Sequence, residues 1–266
     1  MKHLVFFSIL PLILLSACRS VSQDAPLAPH MPYAQEKTVF LLPDNENSPS
    51  MKISLNLLEI AGNDGLRDCM YRVLYKNSSP AIYGDNLIAT LEERYAAAAD
   101  VWEESEPAAS FSWEYSETVE AFDLGRVTQI RRTRYEFTGG AHGNQTEEFL
   151  VFDQTGKDGK TPNYVLLSDI ILPDAQAALL RIIESRLRMD VGLSEEVLLS
   201  ENVFFNDAIA IPSQFFVTRQ DASPGIGFHW NPYEIAPYAR GYVEMVVPYE
   251  ELKDLLTDYG KELLRQ

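Results

Sequence analysis

An α+β fold, built from an antiparallel sheet and two or three packed helices, is the class that this sequence predicts. Strand patterns occur in consecutive, turn-linked pairs, and helical patterns fall between blocks of strands rather than after each strand. A parallel sheet needs a crossover connection after every strand, so this order favours antiparallel pairing. After residue 51 no break comparable to the proline-rich stretches before it interrupts the chain.

The strands are indicated by alternation of apolar and polar residues. Ile53, Leu55 and Leu57 alternate with polar residues, and Trp113 and Tyr115 do the same in a strand that starts near residue 111. A turn at residues 123–126 leads into a strand at 127–137, and another turn precedes a strand at 148–153. Later strands are predicted at 214–218, 226–230 and 242–247.

Three helices are predicted from apolar residues that recur at helical spacing. Asp85 is expected to cap the first helix, Pro173 to open the second, and the third to begin at about Pro248. The inward-facing residues are expected to be Ile88, Leu91, Tyr95, Ala98 and Trp102 in the first helix, Leu179, Ile183 and Leu187 in the second, and Leu252, Leu255, Leu256 and Tyr259 in the third.

The start of the chain resembles a bacterial lipoprotein signal. Lys2 and His3 precede an apolar run at 4–15, which is too short to span a hydrocarbon core about 30 Å thick. Small residues then lead to Cys18, as in the lipobox, after which a signal is cleaved and the cysteine is acylated. We therefore expect residues 1–17 to be a signal peptide and the mature protein to be a membrane-anchored lipoprotein of the cell envelope. A plain secretory signal that happens to contain Cys18 is the alternative.

The mature chain is strongly acidic. Removal of residues 1–17 takes one cation, Lys2, from the 22 Lys and Arg and none of the 39 Asp and Glu, so the net charge changes from −17 to −18. Nucleic acid is therefore not an expected partner, and membrane attachment must come from the acyl chains alone. The charge would speed encounter with a basic partner, although solubility explains the bulk of it. With Cys18 acylated, Cys69 has no partner and is expected to be a small buried residue.

Domain organisation is indicated by the prolines. Residues 18–40 are interpreted as the lipidated cysteine and a semi-extended tether, which contains Pro26, Pro29 and Pro32. Residues 41–50 carry a second loop signal. Residues 41–266 are expected to form a single α+β binding domain, which could also consist of two intimately packed halves, 41–135 and 136–266.

Two segments differ from ordinary core patterning. The first, at 135–144, reads YEFTGGAHGN, and the second, at 225–241, reads GIGFHWNPYEIAPYARG and is followed by a strand and PYEEL at 248–252. In this order they resemble a bacterial extracytoplasmic family that includes the ectodomain of the lysozyme-sensing sigma-V anti-sigma factor and the N-terminal module of some peptidoglycan deacetylases. The resemblance spans about 51–256 and implies an antiparallel α+β fold and a binding module.

The sequence departs from both kinds of relative. An anti-sigma factor needs a membrane-spanning helix and a cytoplasmic segment, neither of which is expected after Cys18. Deacetylase chemistry needs a carboxylate and clustered histidines, whereas His30, His142 and His229 of the mature chain lie far apart in sequence. We therefore predict no catalytic residue, no metal site and no cofactor.

The glycine-rich segment is the first candidate ligand-binding site. Gly139, Gly140 and Gly143 surround His142 and precede Asn144. Glycine permits positive φ and close backbone approach, so this turn could present N–H groups to a ligand carbonyl or anion beside His142. The alternative is a tight strand connection in which His142 only holds the backbone.

The second candidate site begins in the strand at 226–230, where His229 is expected to face away from its apolar neighbours. It continues through Asn231, Tyr233, Glu234 and Tyr238 in a loop stiffened by prolines. Rigid tyrosines lose little side-chain entropy on binding and suit recognition of proteins or sugars. The alternative is that both tyrosines pack under the sheet with their hydroxyl groups satisfied locally.

Paired carboxylates of the kind that a glycan-cleaving enzyme needs are not indicated. Neighbouring glutamates point to different faces of a strand or helix, so we expect solvated or capping pairs at Glu147-Glu148, Glu195-Glu196 and Glu250-Glu251. The sequence also contains no nucleophile elbow, phosphate loop or dinucleotide fingerprint.

These observations predict a non-enzymatic, lipid-anchored envelope protein that recognises a lysozyme-like protein through exposed loops. A lipoprotein that binds peptidoglycan glycan is the first alternative, and an envelope hydrolase that uses His142 or His229 with a carboxylate is the second. Arg19 and Ser20 after the modified cysteine favour the periplasmic side of the outer membrane if the organism has two membranes.

Overall fold

The computed structural model describes residues 33–41, 50–60, 63–102, 112–212, 214–219 and 224–265. The predicted signal peptide, Cys18 and the first part of the tether lie outside these residues, and so does most of the loop signal at 41–50. The side chains of residues 33–36 and 99–102 are likewise outside the described part of the structure. The predicted inward orientation of Trp102 is among the predictions that fall there.

The strands of the described residues form two sheets. Their bounds are β1 Tyr33–Leu41, β2 Met51–Leu58, β3 Trp113–Leu124, β4 Val127–Phe137, β5 Asn144–Asp153, β6 Asn163–Val165, β7 Phe215–Thr218, β8 Gly225–Trp230 and β9 Val243–Pro248. The larger sheet has the order β1-β2-β3-β4-β5-β6 and the smaller sheet the order β7-β8-β9. All neighbouring strands are antiparallel except β2 and β3, which are parallel. The predicted α+β class with an antiparallel sheet is confirmed.

Four substantial helices accompany these sheets in the described residues. They are α1 Asp64–Leu74, α2 Pro80–Trp102, α4 Gln176–Asp190 and α6 Asp258–Leu264, while α3 Leu167–Ile170 and α5 Tyr249–Leu252 are single turns. α1 and α2 supply the crossover connection that the parallel pair of β2 and β3 requires. Within the residues described, no helix combines the length and the apolar character needed to cross a membrane.

The first predicted helix begins earlier than expected. α2 starts at Pro80 rather than after Asp85, because proline suits the first helical turn and the Ser79 hydroxyl accepts the N–H of Ile82 at 3.3 Å. Asp85 lies inside the helix, where its carboxylate is 2.6 Å from the ammonium of Lys37 on β1. The predicted inward residues Ile88, Leu91 and Tyr95 are buried.

Several elements fall where the sequence did not predict regular structure, among them β1, α1, β6 and α3. β1 occupies Tyr33–Leu41, so the segment interpreted as a tether cannot extend to residue 40. α1 begins after Asn63, whose side chain accepts the N–H of Leu66 at 3.0 Å. The α1 residue Cys69 is a free, buried thiol, as expected, and burial raises its pKa.

The two C-terminal helix predictions are confirmed in part. Pro173 opens a short 3-10 turn, Pro173–Ala175, which continues into α4 with the predicted residues Leu179, Ile183 and Leu187 buried. The helix expected from Pro248 is instead divided into α5 and α6. Leu252 and Leu256 are buried, and Leu255 and Tyr259 are partly buried against the same cluster.

Two apolar clusters lie on opposite faces of the larger sheet. Alternate residues of β4 and β5 point to opposite faces, so Ile130 and Phe152 pack with α1 and α2, whereas Val127 and Val151 pack with the smaller sheet and α4. The larger sheet is therefore the middle layer of the molecule. The suggested boundary between residues 135 and 136 falls inside β4 and separates no structural unit.

Candidate functional site

The connection between β4 and β5 is a tight glycine turn that exposes His142. Gly139 and Gly140 have φ angles of 101° and 96°, which lie in the left-handed region that favours glycine. A Cβ atom at Gly143 would lie 2.4 Å from the ring of Tyr135, so a larger residue would displace that ring. The turn thus holds His142 at the tip of the β4–β5 hairpin.

The loop between β8 and β9 is fixed by local hydrogen bonds. The N–H of Asn231 donates to the Glu234 carboxylate at 2.9 Å, and the N–H of Tyr233 donates to the carbonyl oxygen of Ala236 at 3.0 Å. Tyr233 has a φ angle of 72°, a conformation that is costly for a residue with a Cβ atom. Despite this conformational cost, the side chain of Tyr233 is not packed into the core, and the residue is 54% exposed. Backbone strain of this kind often accompanies a functional position.

The glycine turn and this loop meet in a ring cluster, which consists of His142, Tyr233 and Tyr238. The rings of His142 and Tyr238 are stacked, with centroids 3.7 Å apart and planes inclined by 11°. The ring of Tyr233 lies 5.7 Å from that of Tyr238, and its hydroxyl oxygen is 3.3 Å from Nε2 of His142. Residues that are 91 positions apart in sequence therefore form one surface.

The chemistry of the ring cluster follows from the hydrogen bonds of His142. Its Nδ1 atom is 2.9 Å from the carbonyl oxygen of Gly143. Because a carbonyl oxygen only accepts, Nδ1 carries the proton and Nε2 accepts the hydroxyl of Tyr233. Both ring nitrogens are thus engaged, and the cluster presents aromatic surface with a hydroxyl group at its edge.

Asn231 connects the loop to the larger sheet. Its Oδ1 atom accepts the N–H of Glu147 on β5 at 2.6 Å, and its Nδ2 atom donates to the carbonyl oxygen of Glu147 at 3.1 Å. The same Nδ2 atom lies 3.4 Å from the carboxylate of Glu234. The side-chain amide is buried, and it bonds the N–H and the carbonyl oxygen of Glu147 as the backbone of a paired strand would. These bonds fix the loop relative to β5.

His229 lies inside the molecule rather than in the ring cluster. Its side chain is fully buried, and its Nδ1 atom is 2.8 Å from Oε1 of Glu244 on the adjacent strand β9. The rings of Phe149 and Tyr242 lie 5.1 Å and 5.0 Å from it. As predicted, His229 points away from the apolar cluster that contains its neighbours Phe228 and Trp230.

Glu147 approaches His229 from the other sheet, so the two sheets share an acidic cluster here. One ligand atom from each of Glu147, His229 and Glu244 lies within 4.8 Å of the other two. Burial raises the pKa of Glu147, and the charge of Arg131 works against that effect. Arg131 itself is engaged by Glu120 on β3, with an N–O distance of 2.7 Å.

The structure sorts the predicted site residues into three groups. His142, Tyr233 and Tyr238 form the ring cluster, and exposed Asn144 begins the strand next to it. Three residues have supporting positions: Gly139 and Gly140 shape the turn, and Glu234 binds the backbone of Asn231. Asn231 and His229 are buried.

Sequence reasoning missed the role of Glu147 and Glu244. The alternation of β5 could have indicated the orientation of Glu147. It shares a face of the strand with Gln145, Phe149 and Val151, and this face packs against the smaller sheet. Glu148 points to the other face, where its carboxylate is 3.1 Å from Arg132, so the expectation of divergent side chains is confirmed for this pair. The expectation of a solvated or capping pair is wrong here, because both glutamates are partly buried within β5.

Comparison with known proteins supports the same fold. Residues 168–250 match the family model DUF3298, which is described as a protein of unknown function. The matched region contains the smaller sheet and the loop with Tyr233, but not the glycine turn. No curated protein sequence matches the chain.

Two solved structures share the architecture. A member of the DUF3298 family from Bacteroides fragilis is 20% identical, with a TM-score of 0.70 over 88% of this chain and 96% of its own. A DUF3298 family protein from Pseudomonas aeruginosa is 17% identical, with a TM-score of 0.56 over 85% of this chain and 95% of its own. At these identities the likeness shows the fold alone.

Proposed function

We propose that this protein, whose residues 168–250 match the DUF3298 family model, is a non-enzymatic binding protein of the bacterial cell envelope. It is anchored by a lipid on Cys18 and recognises a basic protein of lysozyme type through the ring cluster. One observation carries the proposal: aromatic rings from two distant loops meet at the surface and are held there by buried supporting residues.

The construction of the ring cluster suits protein recognition. Tyrosine supplies a large, rigid contact area and is enriched among residues that dominate binding energy. The stacked pair of His142 and Tyr238 and the strained backbone of Tyr233 are already ordered, so little entropy is lost when a partner binds. A tyrosine held in a left-handed conformation solely for packing would be expected to be buried, whereas Tyr233 is 54% exposed.

The choice of a basic partner rests on charge and on the sequence resemblance. A mature chain with 21 Lys and Arg against 39 Asp and Glu attracts cationic proteins over long range and speeds their association. The two glycine- and tyrosine-bearing segments resemble those of the lysozyme-sensing ectodomain, and they are the segments that form the ring cluster.

The direct experiment is calorimetric titration of the purified protein with lysozyme at moderate salt. Cytochrome c, a basic protein of comparable size, serves as the control for nonspecific attraction. We expect saturable binding of lysozyme that is weakened at least about tenfold by Tyr233→Ala or Tyr238→Ala, as for central interface residues. Ile82→Ala is the matched control, because Ile82 is 55% exposed on the first turn of α2. Equal affinity for both basic proteins, or no effect of the tyrosine variants, would contradict the proposal.

The lipid anchor needs a separate test. Metabolic labelling with palmitate should mark the wild-type protein and leave Cys18→Ser unlabelled, and fractionation should recover only the wild type with membranes. In an organism with two membranes we expect the outer-membrane fraction. Absence of label on the wild-type protein would contradict the proposed lipid anchor and would leave the proposed binding surface unaffected.

Peptidoglycan glycan is a second candidate ligand, favoured by the flat stacked rings of His142 and Tyr238, since sugars pack against aromatic faces. Sedimentation with purified peptidoglycan, with and without Tyr238→Ala, separates this candidate from the protein ligand. A hydrolase would have to use His142 or His229. An envelope hydrolase activity that is lost in the double alanine variant would replace the binding proposal.

A further inference from the structure

We propose that Glu147, His229 and Glu244 form a zinc site between the two sheets. Glu147 lies on β5 of the larger sheet, and His229 and Glu244 lie on the paired strands β8 and β9 of the smaller one. Their ligand atoms approach one another within 4.8 Å. This site is separate from the ring cluster and does not depend on the function proposed above.

The hydrogen bonds of Asn231 determine how the imidazole is oriented. Its Nδ2 atom faces two oxygen acceptors, on Glu147 and Glu234, so the atom that lies 3.4 Å from Nε2 of His229 is the acceptor Oδ1. In the metal-bound form Nε2 would carry the proton and donate it to Asn231. A histidine that binds a metal through one nitrogen typically donates its other N–H to such an acceptor, which fixes the ring.

This orientation leaves Nδ1 to face Glu244. Nδ1 and Oε1 of Glu244 are 2.8 Å apart, which is the distance of a hydrogen bond when Nδ1 carries the proton. A divalent metal would displace that proton and bind Nδ1 and the Glu244 carboxylate after the two atoms move slightly apart. The carboxylate of Glu147 would be its third protein ligand.

The charge of the cluster also favours a divalent cation. Two carboxylates lie beside a buried imidazole, and no lysine or arginine within the described residues forms an ion pair with either of them. A buried charge is costly unless it is paired. One divalent ion would neutralise both carboxylates.

The ligand set selects zinc among common divalent ions. Calcium and magnesium prefer all-oxygen sites, whereas zinc accepts an imidazole nitrogen with carboxylate oxygens in a tetrahedral arrangement, with water as a fourth ligand. Tetrahedral zinc places its ligand atoms about 3.4 Å apart. The ligand atoms already lie within 4.8 Å of one another, and carboxylates turn readily about their terminal torsions, so small movements would suffice to reach that separation, including an opening of the 2.8 Å pair of His229 and Glu244.

The test is titration of the chelator-treated, untagged protein with Zn²⁺ by calorimetry, and with Co²⁺ by visible absorption. We expect one Zn²⁺ per chain, a tetrahedral Co²⁺ spectrum, and weaker Zn²⁺ binding by at least about tenfold in both Glu147→Gln and Glu244→Gln. Glu148→Gln and His142→Gln are the matched controls, because they alter the neighbouring glutamate on the opposite face and the exposed histidine. Both should bind Zn²⁺ as the wild type does.

Circular dichroism verifies that each variant is folded. His229→Gln should also lose the ion, and if this buried change prevents folding, the two glutamine variants still decide the question. Absence of Zn²⁺ binding at millimolar concentration would overturn the proposal. So would binding that both glutamine variants retain, binding that His142→Gln abolishes, or Ca²⁺ or Mg²⁺ binding as tight as that of Zn²⁺.

Discussion

Two carboxylate clusters lie on opposite faces of the larger sheet, and the charges within them are balanced very differently. On the helical face, Glu117 is fully buried and accepts hydrogen bonds from the hydroxyl groups of Tyr83 and Tyr115 at 3.1 Å and 2.9 Å. Arg134 and Arg132 lie 3.2 Å and 3.6 Å from its oxygens. On the other face, Glu147 and Glu244 lie against the imidazole of His229, and in the described part of the chain no lysine or arginine forms an ion pair with them.

The difference lies in how the carboxylates and the cationic side chains are matched. On the helical face two arginines face two glutamates, since Glu148 is 3.1 Å from Arg132, and the charges cancel. On the opposite face two carboxylates face one imidazole, which can carry at most one positive charge. The first network needs nothing further to be stable, whereas the second is the arrangement expected where an ion or a proton is taken up.

The largest effect is expected at Glu117. Glu117→Gln keeps the size of the side chain but leaves Arg132 and Arg134 without the buried charge between them, which should lower the free energy of unfolding by about 3–5 kcal/mol. Urea unfolding at neutral pH measures this loss. Glu120→Gln is the control, because its pair with Arg131 is about one quarter exposed and should cost only about 0–1 kcal/mol. A loss at Glu117 no larger than the control would remove the contrast between the two faces.

A smaller but clearly pH-dependent effect is expected at Asp153, which is fully buried like Glu117. Burial opposes its ionisation, but hydrogen bonds from Arg126, Thr155 and Tyr259 together lower its pKa below the usual value. Its stabilising contribution is therefore present above the unfolded pKa and lost as the pH falls through the folded pKa. Asp153→Asn should cost about 3 kcal/mol near neutrality.

Unfolding curves for wild type and Asp153→Asn, recorded from about pH 7 to about pH 2, provide the measurement. The difference between the two proteins should shrink as the solution becomes acidic. A difference that stays constant with pH would mean that size or hydrogen-bond geometry, rather than charge, is responsible.

Glu147 should behave in the opposite way when zinc is absent. Its pKa is raised, so its contribution to stability is greatest below the unfolded pKa and is lost as the pH rises through the folded pKa. Glu147→Gln should thus change the stability of the metal-free protein by less than about 1 kcal/mol, towards greater stability at neutral pH. Chemical unfolding in the presence of a chelator measures it. A decrease of several kcal/mol in the free energy of unfolding would show that the charge of Glu147 is balanced as well as that of Glu117.

The smallest effect on stability is expected at Tyr233. Tyr233→Gly relieves a left-handed backbone but makes the unfolded chain more flexible, so the net change should be a gain of at most about 1 kcal/mol. Binding of lysozyme should nevertheless be lost with the ring. Thermal unfolding and calorimetric titration of the same sample separate the two outcomes. Retained binding would place the contact surface elsewhere.

Local signals in the sequence predict local structure well. The turn at residues 123–126 is confirmed, since the Asp123 carboxylate accepts the N–H of Gly125, which has a φ angle of 85°. α1 carried a comparable signal, because Asn63 is a good cap and Leu66, Met70 and Leu74 recur at helical spacing. β1 was harder to identify because a proline-rich stretch leads directly into it.

The candidate site was predictable only as separate pieces. The glycine turn and the tyrosine-bearing loop each carry a local signal, but their meeting depends on how the smaller sheet packs against β5. The partners of His229 show the same limit, since Glu244 is 15 positions away and Glu147 lies on another sheet. Histidine spacing along the chain therefore could not reveal a cluster that combines one histidine with two glutamates.

The bond between Asn231 and Glu147 also has a consequence for how the protein matures. It joins residues 84 positions apart, so it forms only after both layers have been synthesised and brought together. A partly folded chain has no such bridge and cannot align the loop with the hairpin tip. The recognition proposed for the ring cluster would thereby be restricted to molecules that have completed assembly.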